Sequence, residues 1–311
     1  MNSLETISDS LLQNAIQLRS FIGHTPLYPI NNIGSYNNVN IYAKLEWQQF
    51  GGSVKARAAY RIIRDAIQSG ELNSDESLLD ASSGNTGIAY AHIGARLGIP
   101  VTLCLPENAS EERKQILKAL GVKLQLTPRG GGTDEAQKVA KKMYEKYPDK
   151  YFYADQYSNP NNWKAHYDTT GIEILEQTDY EVTHFIAGLG TTGTFTGTGK
   201  RLKEYNDDIS LIALQPDIAM HGLEGWKHLP TAKTPSIYNE NIPESSWSVS
   251  TEKAYALIKE TARKEGLLIS PSSAANLLGA LELAEQIQKG TIVTVFPDNG
   301  DKYGEVFNQL F

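Results

Sequence analysis

Short apolar segments alternate with longer amphipathic segments along most of this 311-residue chain. The run "VTLCLP" has the length of a buried strand, and "SEERKQILKALG" after it has the apolar spacing of a helix. Strands that alternate with helices predict parallel sheets covered on both faces. Two such series follow one another and meet near residues 145–155. We therefore predict an α/β protein with two open, mostly parallel, twisted sheets flanked by helices.

The two series also predict two domains, because the chain is longer than a typical single core. We place the smaller domain at 44–150 and the larger at 1–43 with 151–311, and the N-terminal segment is the part that can cross over. Two local predictions are Ser110 as the cap of the helix after "VTLCLP" and a strand at "GLLIS". The irregular stretch 216–247 is long enough to predict a functional loop.

Composition excludes several classes of protein. The formal net charge of −7 argues against nucleic acid as a main partner. The first residues lack the basic and apolar regions of a secretory signal, and no apolar run is long enough to span a bilayer. The only cysteine, Cys104, cannot form an internal disulfide, and its apolar surroundings favour a buried strand residue over a reactive thiol. We expect a cytoplasmic protein without nucleic-acid or membrane partners.

A glycine-rich loop, "GLGTTGTFTG" (188–197), follows a predicted strand and opens a predicted helix. Small residues at a helix N-terminus offer free N–H groups, which suit a phosphate. The glycines also match G-x-G-x-x-G, and Asp217 lies near the position of a ribose-binding acid in dinucleotide folds. Besides a phosphate site and a dinucleotide site, a tight turn without a ligand would also explain the pattern. We favour the phosphate site.

A second polar loop, "DASSGNTGIAYA" (80–91), also joins a predicted strand to a predicted helix. It brings hydroxyl, amide and N–H donors into a small volume, which suits a carboxylate. The alternative is an ordinary capped helix start, but one cap needs only one such residue. We predict a carboxylate site here.

Lys55 begins a predicted helix in "QQFGGSVKARAAYRII", where a cation is electrostatically misplaced. The stretch does not match the nucleotide-binding P-loop. A lysine can form a Schiff base, and pyridoxal phosphate is the cofactor that carries both an aldehyde and a phosphate. Lys55, a phosphate site and a carboxylate site together point to that cofactor.

Eight motifs extend this interpretation along nearly the whole chain. They are "GHTPLYPI", "GGSVKAR", "SSGNTGIA", "ASEERKQILKALG", "DQYSNPNNWKAHY", "GLGTTGTFTGTGKRLKE", "SPSSAAN" and "FPDNGDKY". In this order and spacing the chain resembles the cysteine synthase (O-acetylserine sulfhydrylase) family, of the tryptophan-synthase-β fold type (fold type II) of pyridoxal-phosphate enzymes. "GTTGT" and "HGLEGWKHLP" are more similar to the B-type enzymes than to the A-type.

The resemblance implies an enzyme that carries out β-replacement on an activated L-serine, O-acetylserine or O-phosphoserine. Sulfide would replace the leaving group and give L-cysteine through an aminoacrylate intermediate. The resemblance also implies a homodimer with pyridoxal 5'-phosphate in the cleft between the domains. The larger domain would bind the cofactor phosphate, and the smaller domain would be mobile and carry the substrate loop.

The same resemblance implies roles for individual residues. Lys55 would hold the cofactor covalently and act in catalysis, Asn85 would bind its ring hydroxyl oxygen, and Ser273 would face its pyridine nitrogen. The phosphate would lie among the residues of the glycine-rich loop: Gly190, Thr191, Thr192, Gly193 and Thr194. The substrate carboxylate would be received by Ser82, Ser83, Thr86 and Gln156.

The chain departs from the family pattern in two places. Before the glycines, the family has Asn and Pro where this chain has Gln49 and Phe50. Directly after the lysine, the family has Asp where this chain has Ala56. "SPSSAAN" replaces the more usual Gly-Ile-Ser-Ser-Gly-Ala-Ala, which puts Pro271 and Ala274 beside the cofactor serine. These departures leave the leaving group and the nucleophile open.

Several alternatives remain at this point. A pyridoxal-phosphate lyase or a related synthase would use the same cofactor; examples are cysteine desulfhydrase, serine or threonine dehydratase and cystathionine β-synthase. A nicotinamide-dependent dehydrogenase would explain the glycines and Asp217 but not Lys55. A catalytically silent relative would explain the departures around Lys55. The scattered histidines and the lack of an H-E-x-x-H motif predict no metal site.

Overall fold

The computed structural model describes the backbone of residues 2–311 and the side chains from Ser10 onward. The helices are α1 (Asn2–Leu18), α2 (Lys55–Ser69), α3 (Asn85–Leu97), α4 (Glu111–Ala119), α5 (Gly132–Lys146), α6 (Asn161–Asp168), α7 (Thr170–Gln177), α8 (Gly193–Tyr205), α9 (Thr251–Lys264), α10 (Pro271–Ala284) and α11 (Gly304–Leu310). The strands are β1 (Leu27–Pro29), β2 (Val39–Leu45), β3 (Ser77–Ala81), β4 (Val101–Pro106), β5 (Lys123–Thr127), β6 (Tyr151–Tyr153), β7 (His184–Gly188), β8 (Ser210–Pro216), β9 (Ser245–Val249) and β10 (Gly290–Phe296).

The strands of the described chain form two sheets. The larger sheet has the order β1-β2-β10-β7-β8-β9, and only its edge strand β1 is antiparallel to its neighbour. The smaller sheet has the order β5-β4-β3-β6, with every pair parallel. Central strands such as β4 are buried at every position, as expected when helices cover both faces of a sheet. The predicted fold class, two mostly parallel sheets flanked by helices, is confirmed.

The chain divides into two compact units. The first unit contains the chain up to Gly23 and residues Lys55–Asn162, and the second contains His24–Val54 and Trp163–Phe311. Helix α1 packs against α2 and α3, so the N-terminal segment belongs with the smaller sheet. The predicted division at 44–150 remains a prediction, because compactness does not test whether the parts fold or move as domains.

Helix α2 shows why these segments fold as they do. Its apolar stripe, Ala58, Ile62 and Ala66 among others, is buried, whereas its opposite face carries half-buried arginines. In the second unit, the apolar residues of β2, β7, β8 and β10 pack with α9 and α10 in one core. Along the part of the chain that the structure describes, no helix has the length and apolar character that a membrane span needs.

The local predictions were confirmed only in part. Ser110 is the N-cap residue of α4, but its side chain makes no capping hydrogen bond, and the acidic residues Glu111 and Glu112 follow it in the first turn. "GLLIS" forms only an isolated bridge between Ile269 and Asn299, because the segment leads directly into α10. Strand β9 begins inside the stretch predicted to be irregular, and its sequence "SSWSV" is too polar to indicate a buried strand.

Candidate active site

The glycine-rich loop of the second unit joins the end of β7 to the start of α8. Thr192 is the N-cap residue of α8 and has a left-handed backbone, with φ of 72°. The first N–H groups of a helix have no acceptor within the helix, so those of α8 are available at this loop. The Thr192 hydroxyl is buried, and among the described residues it has no hydrogen-bond partner. The loop thus holds a buried hydroxyl without a partner among the described residues, next to the first N–H groups of α8.

Two of the glycines in this loop are required by packing. A β-carbon on Gly188 would lie 1.9 Å from the Trp226 ring, and one on Gly190 would lie 2.0 Å from the backbone oxygen of Gly225. The N–H of Lys227 also donates to the backbone oxygen of Leu189 at 2.8 Å. The irregular segment that follows β8 therefore packs against the loop and is hydrogen-bonded to it. This packing accounts for the first two glycines of the pattern without a dinucleotide.

One threonine of the loop, Thr194, lies near a buried histidine. Thr191 and Thr192 are buried, and Thr194 is half-buried at the start of α8. The hydroxyl of Thr194 lies 3.3 Å from Nε2 of His166, and Nδ1 of His166 lies 2.9 Å from the hydroxyl of Thr170. This chain of contacts fixes the imidazole beside the loop.

Helix α10 carries Ser273 and is tied to the same loop. The Ser273 hydroxyl is fully buried and donates to the backbone oxygen of Asp298 at 2.8 Å. One turn further, Asn276 accepts from the N–H of Gly188 at 2.8 Å and donates to the backbone oxygen of Val295 at 2.6 Å. The predicted phosphate loop and Ser273 are therefore held together at the carboxyl ends of β7 and β10.

In the first unit, the polar loop between β3 and α3 combines helix capping with free donors. The Ser82 hydroxyl accepts from the N–H of Gly87 at 2.9 Å and therefore caps the first turn of α3. Its own proton remains available to a ligand. Ser83 and Asn85 are half-buried at the end of the loop.

Gln156 is held by partners on all of its polar groups. Its amide oxygen accepts from the Thr86 hydroxyl at 2.6 Å, and its amide nitrogen donates to the backbone oxygen of Ala81 at 3.1 Å. Its backbone oxygen accepts from the side chain of Asn162 at 2.7 Å. Its N–H donates to the carboxylate of Asp80 at 3.3 Å. Thr86 and Gln156, both predicted to receive the substrate, are thus brought together.

The carboxyl group of Asp80 is buried and takes part in this network through Gln156. Its other carboxylate oxygen accepts from the N–H of Ala81 at 2.8 Å. Burial raises the pKa of the Asp80 carboxyl to about 7; the Ala81 hydrogen bond opposes the rise, and the charge of Asp155 adds to it. Burial, followed by the charge of Asp80, also raises the pKa of the Cys104 thiol to about 12. Cys104 is fully buried in β4, so it is a buried strand residue as predicted.

Lys55 is the first residue of α2 and is half-buried. The next residue, Ala56, is fully buried where the family has an aspartate, so no carboxylate is available at that position. Gln49, another departure, donates to the side chain and the backbone oxygen of Glu46, at 2.9 Å each. Pro271 occupies the first turn of α10, where its missing N–H costs little, and Ala274 is buried in the same helix.

The predicted site residues fall into two groups. The first unit contains Lys55, Ser82, Ser83, Asn85, Thr86 and Gln156, and the second contains Gly190, Thr191, Thr192, Gly193, Thr194 and Ser273. Within the described residues, no group of three or more His, Cys, Asp or Glu side chains is arranged to hold a metal ion.

The comparisons with known proteins cover nearly the whole chain. The profile of the family "Pyridoxal-phosphate dependent enzyme" matches residues 18–298. The chain belongs to this family. A cysteine synthase of Aquifex aeolicus is 47% identical over 289 residues, which cover 91% of this chain and 88% of that protein. Cysteine synthase B of Escherichia coli strain K12 is 35% identical, with 92% and 93% covered.

The fold agrees with this membership. The crystal structure of the cysteine synthase (OASS) from Entamoeba histolytica has a TM-score of 0.88 to this chain at 31% identity, with 94% of this chain and 90% of that chain covered. The resemblance to the cysteine synthase family and the expectation of a pyridoxal-phosphate enzyme are therefore confirmed.

The residues of the second unit fit the cofactor of this family. A phosphate needs several donors at once, and the buried Thr192 hydroxyl without a partner, beside the N-terminus of α8, supplies an unused one. The Thr196 hydroxyl, one turn into the helix, is likewise buried without a partner among the described residues.

Four further residues were not predicted as parts of the site. Asn276 and Ser270 lie in "SPSSAAN", where only Ser273 was assigned a role. Asp80 is a charged residue at the end of the apolar run "SLLDA", a pattern that signals a buried partner. Trp226 gives no such signal, because a tryptophan in an irregular segment does not reveal which glycine it covers.

Proposed function

We propose that this protein catalyses β-replacement on an activated L-serine, with sulfide as the nucleophile and L-cysteine as the product. The 47% identity to a cysteine synthase over nine-tenths of the chain supports this activity. O-acetylserine is the proposed substrate, and O-phosphoserine is the alternative that differs only in its leaving group.

We assign the following residues to the cofactor. Lys55 would bind the aldehyde carbon of pyridoxal phosphate, Asn85 its ring hydroxyl oxygen and Ser273 its ring nitrogen. The phosphate would be bound by the loop residues Gly190, Thr191, Thr192, Gly193 and Thr194. When bound, the cofactor supplies an electron sink that stabilises negative charge at the substrate α-carbon.

The ε-amine of Lys55 would also move the proton. Once an incoming amino acid takes its covalent position, the freed amine lies near the substrate α-carbon and can accept the α-proton at Nζ. It would return that proton to the α-carbon after acetate, or phosphate, has left the β-carbon and sulfide has added in its place. The next residue, Ala56, is apolar and buried, so it adds no carboxylate beside this amine.

The polar loop of the first unit would bind the substrate α-carboxylate. Ser82 still has its hydroxyl proton, and Ser83 adds a second hydroxyl. The Thr86 hydroxyl already donates to Gln156, so Thr86 would offer its backbone N–H in the first turn of α3 instead. The Gln156 amide, fixed by Thr86 and Ala81, retains a second N–H for the ligand. Several donors around one carboxylate also help to exclude water from the reacting carbon.

The observation that carries the proposal is the hydrogen bond of 2.8 Å between Asn276 and the N–H of Gly188. It fixes α10, which bears Ser273, to the loop that offers donors to a phosphate. A ligand with a ring nitrogen at one end and a phosphate at the other would be held at both ends.

The first experiment tests Lys55. Purified protein incubated with pyridoxal phosphate should absorb visible light, and borohydride reduction should fix the cofactor to Lys55 in mass spectra. Lys55→Ala should lose the covalent link and reduce cysteine formation from O-acetylserine and sulfide by at least about 1,000-fold. The exposed Lys118→Ala serves as the control and should keep both properties. Absence of any cofactor adduct would overturn the proposal.

The same assay separates the related reactions. Pyruvate released without sulfide would indicate a lyase, and cystathionine formed with homocysteine would indicate a cystathionine β-synthase. O-phosphoserine in place of O-acetylserine identifies the leaving group.

We also propose a homodimer in the cytoplasm, with the residues of 44–150 moving as the smaller domain. The family resemblance supports the dimer, and a single, buried cysteine suits a reducing compartment. Light scattering on the purified protein measures the dimer directly.

A further inference from the structure

Three serines lie buried at the start of α10. Ser270, Ser272 and Ser273 have relative exposures of 0%, 4% and 0%. Ser270 is the N-cap residue, and its hydroxyl oxygen accepts from the N–H of Ser273 at 3.2 Å. In the family pattern a glycine stands at this position, so the Ser270 hydroxyl is a feature of this chain.

The Ser273 hydroxyl has only one proton, and that proton is committed. The backbone oxygen of Asp298, 2.8 Å away, can only accept, so Ser273 must donate to it. The hydroxyl oxygen of Ser270 lies 3.0 Å from that of Ser273. Because Ser273 has no second proton, Ser270 is the donor in this contact.

The same count fixes the direction of the third contact. The hydroxyls of Ser270 and Ser272 are 3.2 Å apart. The proton of Ser270 already goes to Ser273, so Ser272 donates to Ser270. Hydrogen bonds therefore run in one direction, from Ser272 through Ser270 to Ser273 and on to Asp298, and Ser270 has no capacity left over.

The end of this chain of hydroxyls is firmly held. Asp298 is fully buried, and its carboxylate accepts from the Tyr303 hydroxyl at 2.9 Å. Its backbone oxygen is thus a fixed acceptor that keeps the Ser273 proton when nothing else competes for it.

We propose that Ser270 is a positioning residue that makes Ser273 a strong hydrogen-bond donor to the ring nitrogen of the cofactor. This inference rests on the proposed function, which assigns Ser273 to that nitrogen. Ser270 fills one lone pair of the Ser273 oxygen. The Ser273 proton can then go to one of two acceptors, the backbone oxygen of Asp298 or a ring nitrogen.

The physical basis is the cooperativity of hydrogen-bond chains. A hydroxyl that accepts a hydrogen bond becomes a better donor, and the effect is larger in a buried, weakly polar environment. A stronger donor stabilises a ring nitrogen that carries no proton. Ser270 therefore favours the unprotonated ring, which withdraws electrons less strongly than a protonated one.

The test uses pyridoxal phosphate labelled with ¹⁵N at the ring nitrogen, bound to the full-length protein. Ser270→Gly removes the hydroxyl, while glycine costs little at a helix N-cap. In this variant the ring nitrogen should take up its proton at higher pH than in the wild type, as seen in the ¹⁵N shift. Its dissociation constant for the cofactor at pH 8 should rise by no more than about threefold, because the hydrogen bond from Ser273 is weakened but not lost. Ser270→Thr, which keeps the hydroxyl, should restore both values.

Ser272→Ala is a second variant that leaves the cap in place, and it should shift the ring nitrogen in the same direction by less. Ser250→Gly is the matched control, because Ser250 is the N-cap residue of α9 but makes no side-chain capping bond. Wild-type ¹⁵N titrations in both Ser270→Gly and Ser272→Ala overturn the role of Ser270. Failure of the proposed function looks different: the wild type would bind no cofactor, or Ser273→Ala would leave the ring-nitrogen signal unchanged.

Discussion

The indole of Trp226 lies so close to Gly188 that a β-carbon on this glycine would be 1.9 Å from Cε2 of the ring. Trp226 itself is 8% exposed and belongs to the core of the second unit. A rigid, buried ring cannot move aside as the end of a flexible side chain can. The first glycine of the loop is therefore set by packing against the irregular segment after β8.

Gly188→Ala should destabilise the protein and displace the glycine-rich loop. We expect a loss of about 1–3 kcal/mol in the free energy of unfolding, typical of an overpacked core. Urea unfolding and a titration with pyridoxal phosphate measure the two effects. Trp226→Leu in the same chain should restore part of both, because it removes the ring that the new methyl group meets. Gly304→Ala, where nothing lies within 4 Å of the added carbon, is the control.

Asn276→Ala should weaken the protein at two buried backbone groups. It removes the acceptor of the Gly188 N–H and the donor to the backbone oxygen of Val295. A buried polar group left without a partner costs about 1–3 kcal/mol, so for two such groups we expect a loss of about 2–6 kcal/mol in urea unfolding. Asn206→Ala removes a side-chain acceptor of a backbone N–H at an exposed position and should cost far less. Equal losses in the two variants would contradict this account.

Lys44→Met should cost much more than an equivalent change at the surface. The Lys44 ammonium is fully buried and lies 2.7 Å from the carboxylate of Glu173. Removing one partner of a buried pair leaves the other charge uncompensated, which costs about 3–5 kcal/mol. Lys264→Met is the matched control, because Lys264 and Glu260 are also 2.7 Å apart but on the surface. We expect about 0–1 kcal/mol there, and Lys44→Met with Glu173→Leu should recover part of the larger loss.

The alternation of apolar and amphipathic segments was enough to predict both sheets, because burial on two faces forces an apolar run of strand length. β4 was predicted for this reason. β9 was missed because "SSWSV" pairs at the sheet edge and is only partly buried. Its position depends on pairing with β8, which no local pattern can reveal.

The candidate site was predictable where one residue type implies one chemistry. Lys55 at a helix start and polar residues around a glycine are local signals. The hydrogen bond from Gly188 to Asn276 joins residues that are 88 positions apart, and the chain of serines depends on a backbone oxygen 25 positions away. Such relationships exist only once the sheet has brought the segments together.

Asp80 should make the stability of the protein fall as the pH rises from about 4 to 7. Burial raises its pKa to about 7 in the folded state, whereas an unfolded aspartate has a pKa of about 3.9. Below pH 4 the carboxyl is protonated in both states. Between the two pKa values only the unfolded state loses the proton, so unfolding becomes easier, by up to about 4 kcal/mol above pH 7.

Asp80→Asn removes this titration and leaves the neighbours of Asp80 in place: Tyr90, Cys104, Tyr153, Asp155 and Tyr157. Burial raises the pKa of the three tyrosines and of Cys104, so none of these four groups gains a charge in the range tested. The free energy of unfolding of Asp80→Asn minus that of the wild type should therefore grow between pH 4 and pH 7 and then level off. Urea unfolding at several pH values measures it, with the exposed Asp149→Asn as the control that should stay flat. A difference for Asp80→Asn that does not change with pH would show that this carboxyl is ionised in the folded protein throughout, and that its hydrogen bonds with Ala81 and Gln156 outweigh burial.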